Sequence, residues 1–239
     1  LHLCDRRQRQ MCIRDRVNSA DLLTIYACDI ARLAGWEQHV WAAHNVPPEG
    51  KVSRELLASQ IRAQPASTHA VEELLFVSMR KLEKGFERKF GAKLFKHQID
   101  DGSAMQQISR FHCRDQASLL RLAKEIIRVF SDRLNLRELR KLSSHAEKDK
   151  LGSNKLLQDV LAKKIGEERA RQVFGPIVGA YDLRVGDAHP TSSKIGDALE
   201  LAGIDESQSY LRQGEQLIHN VGYSVWCIGK LLFEEKGNP

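Results

Sequence analysis

Gly175-Pro-Ile-Val-Gly-Ala-Tyr-Asp-Leu-Arg-Val-Gly-Asp-Ala-His-Pro190 is the stretch on which the reading of this chain turns. Pro176 suits the first position of a helix, where its missing N–H costs nothing. Ile177, Ala180, Leu183, Val185 and Ala188 then predict a mostly apolar helical run, against which Gly179 and Gly186 count. Pro190 closes it, because the residue before a proline is pushed out of the α region. Arg184 and His189 stand at the far end. Five residues at ~100° each place them ~140° apart around the axis, flanking a shallow face rather than sharing a stripe. A protonated His at that end is favoured by the helix dipole, by ~0.3–1 kcal/mol when exposed. Asp187, three residues after Arg184, is within its reach.

Arg-Val-Gly-Asp-Ala-His, residues 184–189, with Leu183 before it and a helix break after it, resembles the Arg-x4–6-His motif of HEPN domains. The resemblance covers the motif and the helical C-terminal third. It implies a small helical bundle that dimerises. For many of the family it also implies a metal-independent ribonuclease of toxin–antitoxin, phage-defence or RNA-processing systems. On that reading Arg184 and His189 are the catalytic residues, RNA is the partner, and no cofactor or metal is needed. The chemistry is consistent: RNA carries its own nucleophile in the 2′-OH, a His handles protons near neutral pH, and an Arg holds the charge that develops on phosphorus. One such pair per chain is few, so a symmetric homodimer that joins two pairs is expected. The family often carries Asn, Asp or His directly after the Arg, where this chain has Val185. A second reading is therefore a non-catalytic module of the same fold that dimerises or docks a partner. A third, a general nucleic-acid-binding helical domain, rests on mild basicity alone.

Spacing by itself is weak support. Arg140 and His145 repeat it, and six-residue gaps separate Arg32 from His39 and Arg212 from His219. Context distinguishes Arg184 and His189, since Arg140 and His145 run into the polar stretch Ala146-Glu-Lys-Asp-Lys150.

Residues 1–16, LHLCDRRQRQMCIRDR, lack periodicity, and Met11-Cys-Ile-Arg-Asp15 matches one reading frame of a transposase-type sequencing adaptor. They are expected to be non-native, with an upstream part missing, and are set aside from fold reasoning. They hold five Arg and two Asp, so the formal net charge of +6 falls to +3 without them. That is compatible with RNA without being diagnostic. Cys28, Cys113 and Cys227 remain, scattered and without a C-x-x-C, which suits a reducing compartment and argues against a disulfide framework or zinc knuckle. No apolar run approaches the ~18–20 residues of a membrane span, and the start lacks a signal-peptide core; a cytoplasmic protein without membrane contact is expected.

The fold class read from the whole chain is mainly α, a helical bundle, with a short β-hairpin near 93–113. Ser19 is read as the cap of a helix over Ala20–Leu33, with Gly35 as its break. Trp36 and Trp41, beside His39, read as buried core, with a base-stacking platform as the alternative. A short helix is expected over Ser53–Ala63 and a longer one over His69–Phe90. The charged half of that longer helix, Arg80–Lys89, reads as a solvated face laced with ion pairs, because Glu83 and Glu87 interrupt its cations. Asp100-Asp-Gly102 between two short runs is the hairpin signal, and His97, Arg110 and His112 could face each other across it as a minor alternative site. Asp115 caps a helix to Ser131 and Asn135 one to Ser143. Residues 17–148 are read as one mainly helical unit and 149–239 as the HEPN-like unit. The second comprises helices over Ser153–Ile165, the Pro176 helix, Thr191–Gly203 and Glu206–Glu235, the last capped by Asp205. Gly214, Gly222 and Gly229 in that last helix either admit a neighbouring helix or weaken it by ~1 kcal/mol each.

Overall fold

The computed structural model describes residues 18, 20, 22–25, 27–51, 57, 71–96, 107–145, 147–186 and 192–233. The chain divides into two units, Leu1–Ala70 and Val71–Pro239. It is mainly α, as the periodicities predict, and no described residue belongs to a named strand.

In the first unit, α1 spans Ala27–Ile30 and α2 spans Gly35–Ala43. The long helix expected over 20–33 is reduced to α1. Asn18 explains part of this: its Oδ1 accepts from the amides of Ala20 at 2.9 Å and Leu22 at 3.0 Å, and its Nδ2 donates to the Glu49 carbonyl at 2.6 Å. A local turn so satisfied competes with helix for the same amides. Gly35, expected to end a helix, opens α2 instead, where the Glu37 carboxylate accepts from the Ala34 amide at 3.1 Å. No residue of α2 is buried and Trp36 is 53% exposed, so the expected buried Trp pair is not formed. The helix expected over 53–63 lies outside the described residues, apart from Leu57.

In the second unit, α3 is Val71–Phe90, α4 Gln116–Val129, α5 Leu136–Leu142, α6 Ser153–Ile165, α7 Glu167–Gly186, α8 Ser192–Ala202 and α9 Tyr210–Phe233. Asp115 caps α4 as expected, accepting from the Ser118 amide at 2.8 Å, while the Ser118 hydroxyl takes the Asp115 amide at 3.0 Å. Each such cap satisfies amides that would otherwise lack a partner. Asn135 precedes α5 but makes no side-chain cap; its amide donates to the Leu94 carbonyl at 2.7 Å. That bond belongs to an isolated antiparallel bridge between Phe95 and Leu134. The hairpin near 93–113 is corrected accordingly. Phe95 pairs with Leu134 rather than with the run after the Asp-Gly turn, and Arg110–His112 is a 3-10 turn. Residues 97–106, the turn itself, lie outside the described residues.

Pro176 is the clearest departure from the sequence reading. It does not start a helix but sits ten residues inside α7. A proline there forfeits the bond to the carbonyl four residues back, at a cost of ~3 kcal/mol. Ala170 and Phe174 before it, and Ile177, Ala180 and Leu183 after it, are all fully buried on one face. Burying each large apolar side chain contributes ~1.5–3 kcal/mol, enough to hold one helix through the proline. Gly166, at φ 88°, separates α6 from α7.

The core is organised around α9. Its Leu217, Ile218, Val221, Val225, Ile228 and Leu232 are buried, and its most extensive neighbour is α3. The two helices run parallel: Gly222 lies against Leu75, and Gly229 lies seven residues on against Leu82. Gly214 meets Cys113 in the same manner, so these glycines admit neighbours. Elsewhere α7 packs on α8, α4, α6 and α9. The division expected near 148 therefore falls inside one unit, whose single core draws on helices from both sides of it.

Candidate functional site

Arg184 lies in the last turn of α7. Leu183 beside it is fully buried and anchors the helix end, so Arg184 is carried to the rim and its side chain is 33% exposed. There it meets Asp132, 44% exposed, in the turn that follows α4. That turn is fixed by its own backbone: the amides of Ser131 and Asp132 both donate to the Ile127 carbonyl, and the Ser153 hydroxyl donates to the Ser131 carbonyl at 2.9 Å. One nitrogen of Arg184, Nη1, donates to both Asp132 oxygens, at 2.9 and 2.8 Å. This hydrogen bond raises the guanidinium's pKa above its ordinary value, so the group stays cationic at any relevant pH.

The partner of Arg184 among the described residues is thus Asp132, 52 positions away in sequence. Asp187, the partner expected from spacing, lies outside the described residues. So does His189, the second expected catalytic residue, so the distance from Arg184 to His189 is not part of the described geometry. Tyr181 and Val185, one helical turn apart beside Arg184, are both exposed. Among the described residues no three His, Cys, Asp or Glu side chains converge as metal ligands would.

No family model, curated protein or solved structure matches this chain.

The other Arg/His spacings resolve differently. Arg140 donates to the Asp149 carbonyl at 3.1 Å, and the His145 ring accepts from the Glu147 amide at 3.2 Å, so both serve a local turn. Arg110 is corrected as a surface candidate: it is 3% exposed and ion-paired with Glu215 at 3.3 Å, while its amide donates to buried Glu72 at 3.1 Å. A guanidinium turned inward cannot face His112, which is exposed, and His97 lies outside the described residues.

The apolar reading of α9 leaves a second face of that helix unassigned. His219, Tyr223, Trp226 and Lys230 follow the i, i+4, i+7, i+11 spacing of one helical stripe, a signal available in the sequence. The His219 and Tyr223 rings are parallel within 3°, centroids 6.2 Å apart, and Tyr223 stacks on Trp226 at 5.4 Å. Lys230 Nζ lies 4.6 Å from the Trp226 ring centroid. Beside this column, α3 and α9 frame an open groove of about 360 Å³ lined by Ser78, Lys81, Lys84, Gly85, Arg88, Trp226, Gly229, Lys230 and Phe233.

Proposed function

We propose that the Val71–Pro239 unit is a HEPN-type helical module that cleaves RNA without a metal, Arg184 holding the scissile phosphate and His189 moving protons. The observation that supports it is the half-engaged guanidinium. Asp132 grips Nη1 with both oxygens and fixes the side chain at the rim. The Nε and Nη2 edge keeps three donors in the planar fork that matches a phosphate. In the reaction the 2′-oxygen attacks phosphorus, its proton passes to His189, and the bond to the 5′-oxygen breaks. The second pair of a symmetric dimer protonates that leaving oxygen. The products are a 2′,3′-cyclic phosphate and a 5′-hydroxyl. The test is cleavage of labelled single-stranded RNA by the purified chain in chelator. Arg184→Ala is expected to slow cutting ~10²–10³-fold, as loss of one oxyanion donor does. His189→Ala is expected to slow it ~10²–10⁴-fold. Equal cutting by His189→Ala and the parent chain sinks the reading.

One observation favours the non-catalytic alternative. Arg184 already has a carboxylate partner within its own chain, and exposed Tyr181 and Val185 form an apolar pair beside it. A module that only dimerises through this face would sediment as a dimer that Tyr181→Glu dissociates, and would leave RNA intact.

A further inference from the structure

We infer that the groove between α3 and α9 binds a single strand of nucleic acid, at a site separate from Arg184. The Ser224 hydroxyl, on the stretch of α9 that carries Tyr223 and Trp226, donates to the Val173 carbonyl at 2.5 Å. Arg184 is eleven residues further along α7, ~16 Å at 1.5 Å per residue. The inference therefore stands whether or not Arg184 takes part in cleavage.

Charge identifies the occupant as a polyanion. Lys81, Lys84, Arg88 and Lys230 line the groove, and among the described residues no carboxylate does. The two glutamates of α3 that interrupt its cations in sequence do not interrupt them in space. Glu83 is turned to the loop after α3, where Oε2 accepts from the amides of Leu94 at 2.9 Å and Phe95 at 3.1 Å, and Glu87 is not part of the lining. Lys81, Lys84 and Arg88 make no ion pair with any described residue, in contrast to the expected lacing of this face. Lys81, Lys84 and Arg88 thus stand within little more than two turns of one wall, and Lys230 adds positive charge to the other, a local potential that attracts an anion.

Aromatic content narrows the polyanion. The column His219–Tyr223–Trp226 runs along the same helix as Lys230, and Tyr223 is 52% exposed. Bases stack on such rings regardless of sequence, one at every phosphate step, whereas the carboxylate side chains of an acidic peptide carry no ring. Shape separates a strand from an anionic membrane surface. The cations face each other across a concave groove, and the rings lie against one another instead of projecting as tips that could enter a bilayer. A phosphodiester chain fits between the walls, with its bases over the column.

Binding of fluorescent mixed-sequence single strands, RNA in one arm and DNA in the other, to the full chain tests this by anisotropy. Four phosphate contacts predict a log–log salt slope of about −2.8, hence affinity about fifty-fold weaker as salt rises from about 50 to about 200 mM. Lys81→Gln/Lys84→Gln/Arg88→Gln, all at exposed positions, is expected to bring the slope to about −0.7 and weaken low-salt binding about tenfold or more. In a Trp36→Phe/Trp41→Phe background the strand should quench the remaining Trp226 emission, a readout that does not depend on those substitutions. Arg184→Ala should bind as the parent chain does. The inference is overturned if the strand does not bind, if Arg184→Ala loses binding while the triple variant keeps it, or if polyglutamate or phosphatidylserine vesicles bind as tightly. Binding without cleavage upholds the groove and removes only the nuclease reading.

Discussion

Arg184 and Asp132 show how one ion pair can be well formed and still contribute little to stability. Both side chains are partly exposed and both bonds use a single nitrogen, so water and salt compete with the pair. A double-mutant cycle of Arg184→Met and Asp132→Asn in urea is expected to give a coupling of ~0.2–1 kcal/mol. A much larger coupling would mark Arg184 as a structural strut and weaken its case as a phosphate ligand. Cys113 is the opposite kind of residue. Burial, then Asp115 and Glu72 nearby, pushes its thiol up to about 12, so it stays protonated and unreactive well above neutral pH. A disulfide reagent at pH 8 is expected to label Cys113 only when the fold opens, and to label partly exposed Cys227 first; mass mapping of the labelled peptides checks the order.

Helix contacts set the cost of adding a single methyl group. A Cβ at Gly179 would lie 2.5 Å from the Ala202 amide nitrogen and 2.7 Å from the Ala198 carbonyl, both backbone atoms of α8. Gly179→Ala must push α8 off α7, and a loss of ~1–3 kcal/mol or more is expected in chemical denaturation. Gly229 is the control: its nearest neighbour, Leu82, would be 3.9 Å from the new methyl. Gly229→Ala should be neutral or stabilise by up to ~1 kcal/mol through helix propensity. The α4 cap carries a pH signature. Hydrogen bonds from Ser118 hold the Asp115 carboxyl below its ordinary range. Its contribution is then complete above the unfolded pKa of ~3.9 and fades as pH falls through the lower folded value. Thermal melts of Asp115→Asn should show a shallower acid-side fall than the parent chain. Periodicity and capping made α3, α4, α5, α6 and α8 legible in the sequence. What local signals could not show was which of them tertiary packing overrules. Pro176 reads as a helix start until Ala170 and Phe174 are known to be buried on the same face as Ile177. Asp205 reads as the cap of α9, yet it holds a turn with Ser207 and Gln208, and α9 begins at Tyr210. Asp132 could not be paired with Arg184 from spacing at all.

Across the whole molecule, every buried core hydrophobic of the described residues lies between Leu75 and Leu232. Residues 71–239 are therefore expected to fold alone with one cooperative transition, seen as a sharp thermal melt and dispersed amide spectrum. Residues 149–239 are not: without α3 and α4 the faces of α9 at Gly222 and of α7 at Leu183 would be bare. A cooperative melt of 149–239 would restore the boundary near 148. The groove and the Arg184 rim both belong to the larger unit, so strand binding and any cleavage should travel with 71–239.

Gly222 on Leu75 and Gly229 on Leu82 keep one offset, about 147 residues, between the two helices that share the largest interface. At a synthesis rate of ~5–20 residues per second, α3 waits about 7–30 s for the partner that covers it. During that interval its Leu75, Phe76, Met79 and Leu82 are a chaperone's substrate rather than a protein's interior. Non-local closure of this span also slows refolding in the test tube. Yield in the cell should accordingly respond to growth temperature and holdase supply more than to small changes in native stability.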